Sequence, residues 1–168
     1  MSNFNSQKII APIMRFVNMK GIIALKDGML AILPLTVVGS LFLIIGQLPF
    51  EGLNQAIASV FGDTWTEPFM QVYSGTFAIM GLISCFSIGY SYAKNSGVEP
   101  LPAGVLSLSS FFILLKSSYV PAKGEPIGDA ISKVWFGGQG IIGAIIIGLV
   151  VGAIYTVFIQ RHIVIKMP

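Results

Sequence analysis

The chain has 168 residues, is 54% hydrophobic, and carries ten Lys/Arg against seven Asp/Glu, a formal charge of +3. Charged residues are 10% of the total, against about 25% in an ordinary soluble domain, and mean hydropathy is +0.82. This is too little charge to coat a soluble globule; intrinsic disorder, a nucleic-acid module and a disulfide-stapled secreted domain are excluded, leaving an integral membrane protein.

Along the chain, residues 8–20 come first, with Ile9, Ile10, Ile13, Phe16 and Val17 at helical spacing and Lys8, Arg15 and Asn18 between them. This predicts an amphipathic helix in the bilayer interface, or one packed on the rest of the protein. Four charge-poor runs follow, at residues 28–50, 68–93, 100–115 and 134–160. A hydrocarbon core of about 30 Å needs about 20 apolar residues in helix. The first, second and fourth runs satisfy this. The third opens on Pro100 and Pro102, closes at Lys116, and is expected to be short or partly interfacial. The expected fold is therefore all-α: a polytopic transmembrane protein of about four spans plus an N-terminal amphipathic helix.

The first run contains Pro34, which removes a backbone bond and should kink the helix near Leu30. Asp27, immediately before it, is placed to cap that helix and complement its dipole. Between the first two runs lie Glu51, Asp63 and Glu67 with no base, and residues 54–62 are half-apolar, as expected of a segment lying along the outer surface. Trp65, Phe69, Tyr119, Trp135 and Phe136 sit where interfacial aromatics belong.

Charge sets the orientation. With four alternating spans and the N-terminus inside, Lys8, Arg15, Lys20, Lys26, Lys94, Arg161 and Lys166 are cytoplasmic, and only Lys116, Lys123 and Lys133 are outside. Most acids fall outside, giving the positive-inside asymmetry with both ends cytoplasmic. The first run begins too far into the chain, and is too long, for a cleaved signal peptide.

Gly140, Ala144, Gly148, Gly152 and Thr156 recur every four residues on the fourth run. Small residues let membrane helices approach closely, so this seam should receive either another helix of the chain or a second subunit. The second run carries Gly75, Ala78, Gly81, Ser84, Ser87, Gly89, Tyr90, Ser91 and Tyr92. Its serines either bond to their own helix backbone or form a polar stripe facing water. No ionisable residue sits in the middle of a long span, which disfavours a proton relay. Cys85 lies in an apolar helix away from bases, as an inert thiol would. His162 has no companion ligands for a metal. No phosphate-binding glycine loop or paired carboxylate site is present, so no catalysis, metal or cofactor is expected.

Residues 20–50, KGIIALKDGMLAILPLTVVGSLFLIIGQLPF, closely resemble the first membrane segment of enzyme IIC of the bacterial phosphotransferase system. Lys26-Asp27-Gly28, Pro34 and Gly39-Ser40 match its lactose/cellobiose class. Residues 65–104 (WTEPFMQVYSGTFAIMGLISCFSIGYSYAKNSGVEPLPAG) and 161–168 (RHIVIKMP) are similar to cellobiose- or diacetylchitobiose-type permeases. The resemblance implies a homodimeric bacterial inner-membrane permease that carries a β-linked disaccharide to the phosphocysteine of a partner enzyme IIB. The phosphate comes from phosphoenolpyruvate through enzyme IIA. It further implies that residues 1–168 are the N-terminal half of the permease domain, supplying scaffold and dimer interface. The family's sugar-holding Glu and His belong to a second half beyond Pro168, so no substrate-binding residue carries over, and the role implied for Asp27, Pro34 and the seam at Gly140, Ala144, Gly148 and Gly152 is structural. The chain is expected to be a truncated part and inactive alone. An alternative is a small membrane module that acts only in helix association.

Overall fold

The computed structural model describes residues 17–115, 118–119, 127–128 and 131–163. The amphipathic helix expected over residues 8–20 falls almost wholly outside them, as does most of 161–168. Among the described residues are seven α-helices: α1 (Lys20–Ala31), α2 (Leu33–Gly46), α3 (Glu51–Phe61), α4 (Glu67–Gly75), α5 (Met80–Asn95), α6 (Pro100–Leu114) and α7 (Ile141–Gln160). Short 3-10 turns lie at Phe77–Ile79, Lys133–Phe136 and Gly138–Gly140, and Ser118–Tyr119 pairs antiparallel with Ile127–Gly128. The fold is all-α.

Three stretches are long and apolar enough to cross a membrane: Lys20–Gly46, Glu67–Asn95 and Gly138–Gln160. The 15 residues of α6 rise about 22 Å against a hydrocarbon core of about 30 Å, the short helix its flanking prolines and Lys116 imply.

Two of the long stretches are interrupted. The first breaks at Ile32, with Pro34 in the opening positions of α2, where its missing N–H costs least. That is two residues past the expected kink. Thr36 closes the gap, its N–H reaching Ile32 O at 3.0 Å and its Oγ1 donating to Leu33 O at 2.8 Å. The second breaks after Gly75, a break the sequence reading did not anticipate. Thr76 Oγ1 donates to Val72 O at 2.6 Å, and such side-chain bonds compete with the helical ladder while satisfying a carbonyl that lipid could not.

A correction concerns Asp27. It does not cap a helix starting at Gly28, because α1 begins at Lys20 and places Asp27 well inside it. The charged pair Lys26-Asp27 is tolerated there because both side chains remain partly exposed.

The chain divides into two compact units. The first contains α1, residues 84–114 and α7 from Gly143 onward. Its centre is Ile88, fully buried. A Cβ on Gly28 would lie 2.7 Å from Ile88 Cγ1 and 2.8 Å from its Cα, and one on Gly148 would lie 2.9 Å from Cys85 O and 3.0 Å from Ile88 Cβ. Farther along, Gly152 meets Gly89 and Tyr92, and Gln160 Nε2 donates to Ser96 O at 3.1 Å. These contacts advance in step, so α5 and α7 run parallel. Helix α6 joins through Ser107, whose Oγ lies against Gly89 and donates to Ala103 O at 2.8 Å, and whose carbonyl accepts from Cys85 Sγ at 3.2 Å.

The second unit contains residues 32–83 and 115–142. Gly39 of α2 sits on Thr76 and Phe77, where a Cβ would come within 2.6 Å of Thr76 Oγ1 and of Phe77 Cβ. Phe42 and Phe69 face each other at 6.1 Å, and Trp65 meets Phe69 edge-on at 6.0 Å. A Cβ on Gly81 would lie 2.7 Å from the Phe136 carbonyl oxygen and 2.8 Å from that of Gly137. Exposed apolar stripes remain in each unit, such as Leu33, Val37, Leu41 and Ile44 on α2 and Ile142, Ile146, Val150 and Ile154 on α7. Water would penalise them and lipid does not.

Helices α5 and α7 end alike. Val98 N–H bonds to Ala93 O at 3.1 Å around Gly97 (φ 75°), and Ile163 N–H bonds to Phe158 O at 3.2 Å around His162 (φ 49°). Both are Schellman closures, but α7 holds a β-carbon in the left-handed region, which costs about 1 kcal/mol. The variant His162→Gly should therefore be more stable by about 0.5–1 kcal/mol in thermal unfolding; an unchanged or lower midpoint would contradict this.

Candidate functional site

Helix α5 presents two adjoining faces. Ser84, Cys85, Ile88 and Gly89 are buried in the first unit. Beside them Phe86, Ser87, Tyr90, Ser91, Lys94 and Asn95 recur at i, i+1, i+4, i+5, i+8 and i+9, which in a helix is one face. With Asp27 and Ala31 of α1 they line a cavity of about 310 Å³. The Phe86 and Tyr90 rings stack along it, centroids 6.1 Å apart and tilted by 23°.

Asp27 sits at the edge of this cavity. Its Oδ2 accepts from Asn95 Nδ2 at 3.0 Å, and its Oδ1 lies 3.3 Å from Lys26 Nζ. Lys94 also acts on it electrostatically. The residue predicted as a cap is thus a tie between α1 and the end of α5. Of the serines on α5, Ser87 and Ser91 both line the cavity; on the neighbouring α6, Ser107 bonds its own helix backbone. Ser91 is only 8% exposed.

The remaining candidates fall elsewhere. Pro34 is exposed at the α1–α2 junction. Ala144, Gly148, Gly152 and Thr156 form the buried face of α7, with Gly148 and Gly152 occupied by α5 of the same chain. Gly140 belongs to the second unit, packed under the Trp135 carbonyl in the turn before α7. Among the described residues, no three His, Cys, Asp or Glu side chains converge as a metal ion would require. Phe86 and Asn95 join the cavity without having been singled out by the sequence pattern. Phe86 was legible from its i, i+4 spacing to Tyr90; Asn95 was not, because its partner lies far off in sequence.

Small-residue packing inside and aliphatic stripes outside define a multi-pass helical membrane protein with a small polar, aromatic-walled recess. The chain belongs to the family described as "Phosphotransferase system, EIIC", which it matches over residues 26–168, and which is the transport component of that system. It is 38% identical to the lichenan permease IIC component of Bacillus subtilis (strain 168), covering 96% of this chain and 37% of that protein. It is also 38% identical to the cellobiose-specific EIIC component of Geobacillus stearothermophilus, covering 86% of this chain and 33% of that one. Among solved structures it resembles the transporter ChbC, the IIC component of the N,N'-diacetylchitobiose-specific phosphotransferase system. The TM-score is 0.84 at 33% identity, over 96% of this chain and 39% of that one. The chain thus spans between a third and two fifths of the length of the proteins it matches.

Proposed function

We propose that the chain is the N-terminal, scaffold and dimer-interface part of a sugar permease. The whole permease imports a β-linked disaccharide such as cellobiose or diacetylchitobiose in a phosphoenolpyruvate-dependent phosphotransferase system. In this reading it works as a homodimer in the bacterial cell membrane and hands its sugar to the phosphocysteine of enzyme IIB, itself charged by enzyme IIA. Phosphoryl transfer belongs to those partners and not to this chain. The observation that carries the proposal is the agreement in fold with ChbC across 96% of the chain at 33% identity, reinforced by relatives whose names specify lichenan and cellobiose.

The test is an exchange. This chain replaces the corresponding part of the Geobacillus cellobiose component, and the chimera is expressed in cells lacking a cellobiose permease but retaining the other phosphotransferase proteins. Uptake of labelled cellobiose well above the empty vector is expected. A chimera present in the membrane at normal levels but without uptake would contradict the proposal.

The positive-inside distribution of Lys and Arg supports a cytoplasmic N-terminus. In a Cys85→Ala background, Asp63→Cys should react with an impermeant maleimide added outside intact cells, and Glu99→Cys only after the cells are opened. The reverse pattern would invert the topology.

A further inference from the structure

We infer that the apolar groove between α3 and the start of α4 is a phospholipid site. It seats an acyl chain, and Asp63 and Glu67 select a headgroup that ends in a primary ammonium. The inference rests on the membrane-spanning stretches and the groove, independently of the permease reading.

Position comes first. Lys20–Gly46 and Glu67–Asn95 are each long and apolar enough to cross a bilayer. Helix α3 and the turns after it therefore lie where the chain leaves one crossing and enters the next, at the depth of headgroups and upper acyl chains. Asn54 Nδ2 ties α3 to the end of the first crossing by donating to Leu48 O at 2.9 Å.

Shape follows. Leu53, Ile57, Val60 and Phe61 recur at i, i+4, i+7 and i+8 on one face of α3, with Glu51, Gln55 and Ser59 on the other. No residue of α3 is buried, and Val60 and Phe61 are each 75% exposed. The chain turns at Gly62 (φ 89°), and Ile57 and Phe61 then line a groove of about 530 Å³ with Thr64, Trp65, Pro68 and Phe69. That volume is within the range of ligand pockets. Phe69 is held in place by Phe42 and Trp65, at 6.1 and 6.0 Å. The Thr64 hydroxyl and the Trp65 indole N–H are the only polar side-chain groups of this lining, so a hydrocarbon chain suits it better than a polar solute.

Charge selects the headgroup. Asp63 and Glu67 are exposed and adjoin the lining residues Thr64 and Pro68 in the chain. Residues 28–93 contain Glu51, Asp63 and Glu67 and no Lys, Arg or His. A primary ammonium brings three N–H donors to these carboxylates; a quaternary choline brings none, and phosphatidylglycerol brings a net negative charge. A second copy on the same groove, related by a two-fold axis, would turn Asp63 and Glu67 toward their counterparts with no base from this stretch between them.

The test uses the full chain with Trp135→Phe, which leaves Trp65 as the only tryptophan, at one copy per nanodisc. The discs are phosphatidylcholine with a minor, equal fraction of chain-brominated phosphatidylethanolamine or phosphatidylglycerol. Phosphatidylethanolamine should quench Trp65 about two- to fivefold more, the preference that exposed ion pairs support, although the formal charge of +3 would by itself draw the anionic lipid. The double variant Asp63→Asn/Glu67→Gln should quench equally with both lipids, and Phe61→Gln should lower quenching by phosphatidylethanolamine at least twofold. An unreactive Cys85 reports that each variant is folded. Equal quenching of the parent chain by the two lipids, a preference that survives the double variant, or quenching indifferent to Phe61→Gln would each overturn the inference. So would Trp65 becoming shielded from brominated lipid when two copies share a disc, which would make a second chain the occupant.

Discussion

Replacing Gly148 by Leu should destabilise the chain by about 3 kcal/mol or more, near the top of what overpacking does. Even a methyl group there would stand 2.9 Å from the Cys85 carbonyl and 3.0 Å from Ile88 Cβ, and the obstruction is helix backbone, not a movable side-chain end. A bilayer offers no hydrophobic gain to compensate, because lipid is as apolar as leucine and the helices associate through close packing. The control is five residues away on the same helix. Gly143 has nothing within 4 Å of its would-be Cβ, so Gly143→Leu should change stability by no more than about 0.5 kcal/mol. Unfolding of both variants in nanodiscs gives the comparison. If Gly148→Leu unfolded like Gly143→Leu and altered only the association of copies, the seam would be an interface between subunits rather than the seat of α5.

The second large effect belongs to the other unit. Gly39→Val should cost about 2–3 kcal/mol, because the new Cβ would fall 2.6 Å from Thr76 Oγ1 and 2.7 Å from Phe77 N. It would also press on the bond from Thr76 to Val72 that seals the break after α4. Gly52→Ala on α3, where nothing lies within 4 Å, should be neutral or stabilising by up to about 1 kcal/mol, since alanine is the better helix former. Equal effects at the two glycines would show that α2 does not rest on the Thr76 turn.

The contrast between these positions explains what the sequence could and could not reveal. The four-residue recurrence from Ala144 to Thr156 identifies the packed face of α7, because a helix must repeat its contacts at that spacing. The same recurrence is silent about the partner: α5 of this chain and α7 of another copy present equally acceptable surfaces, and only the contacts of Cys85, Ile88 and Gly89 decide between them. Spacing alone puts Gly140 on that face, yet it precedes the helix and packs under Trp135.

Pro34 was legible because its missing N–H acts locally, whatever surrounds it. Thr76 was not, because Gly-Thr sits comfortably in membrane helices; the break there depends on a side-chain bond and on the approach of Gly39 from α2. Asp27 was misread because an acid followed by glycine and an apolar run has the look of a helix start. The step in hydropathy there marks charged side chains within α1 rather than the start of a helix, and the partner that places Asp27, Asn95, is at the far end of another helix. The polar stripe of α5 was legible as a pattern, with two meanings. Ser87 and Ser91 of that stripe line a recess.

The most direct test of the permease account is the chemical form of the imported sugar. Cells carrying the chimera are given labelled cellobiose, quenched within seconds, and the label is separated by charge. The account predicts that the label inside is phosphorylated from the earliest time point, and that it disappears when enzyme IIB is absent. Label that accumulates as free cellobiose, or accumulates equally without enzyme IIB, would contradict it.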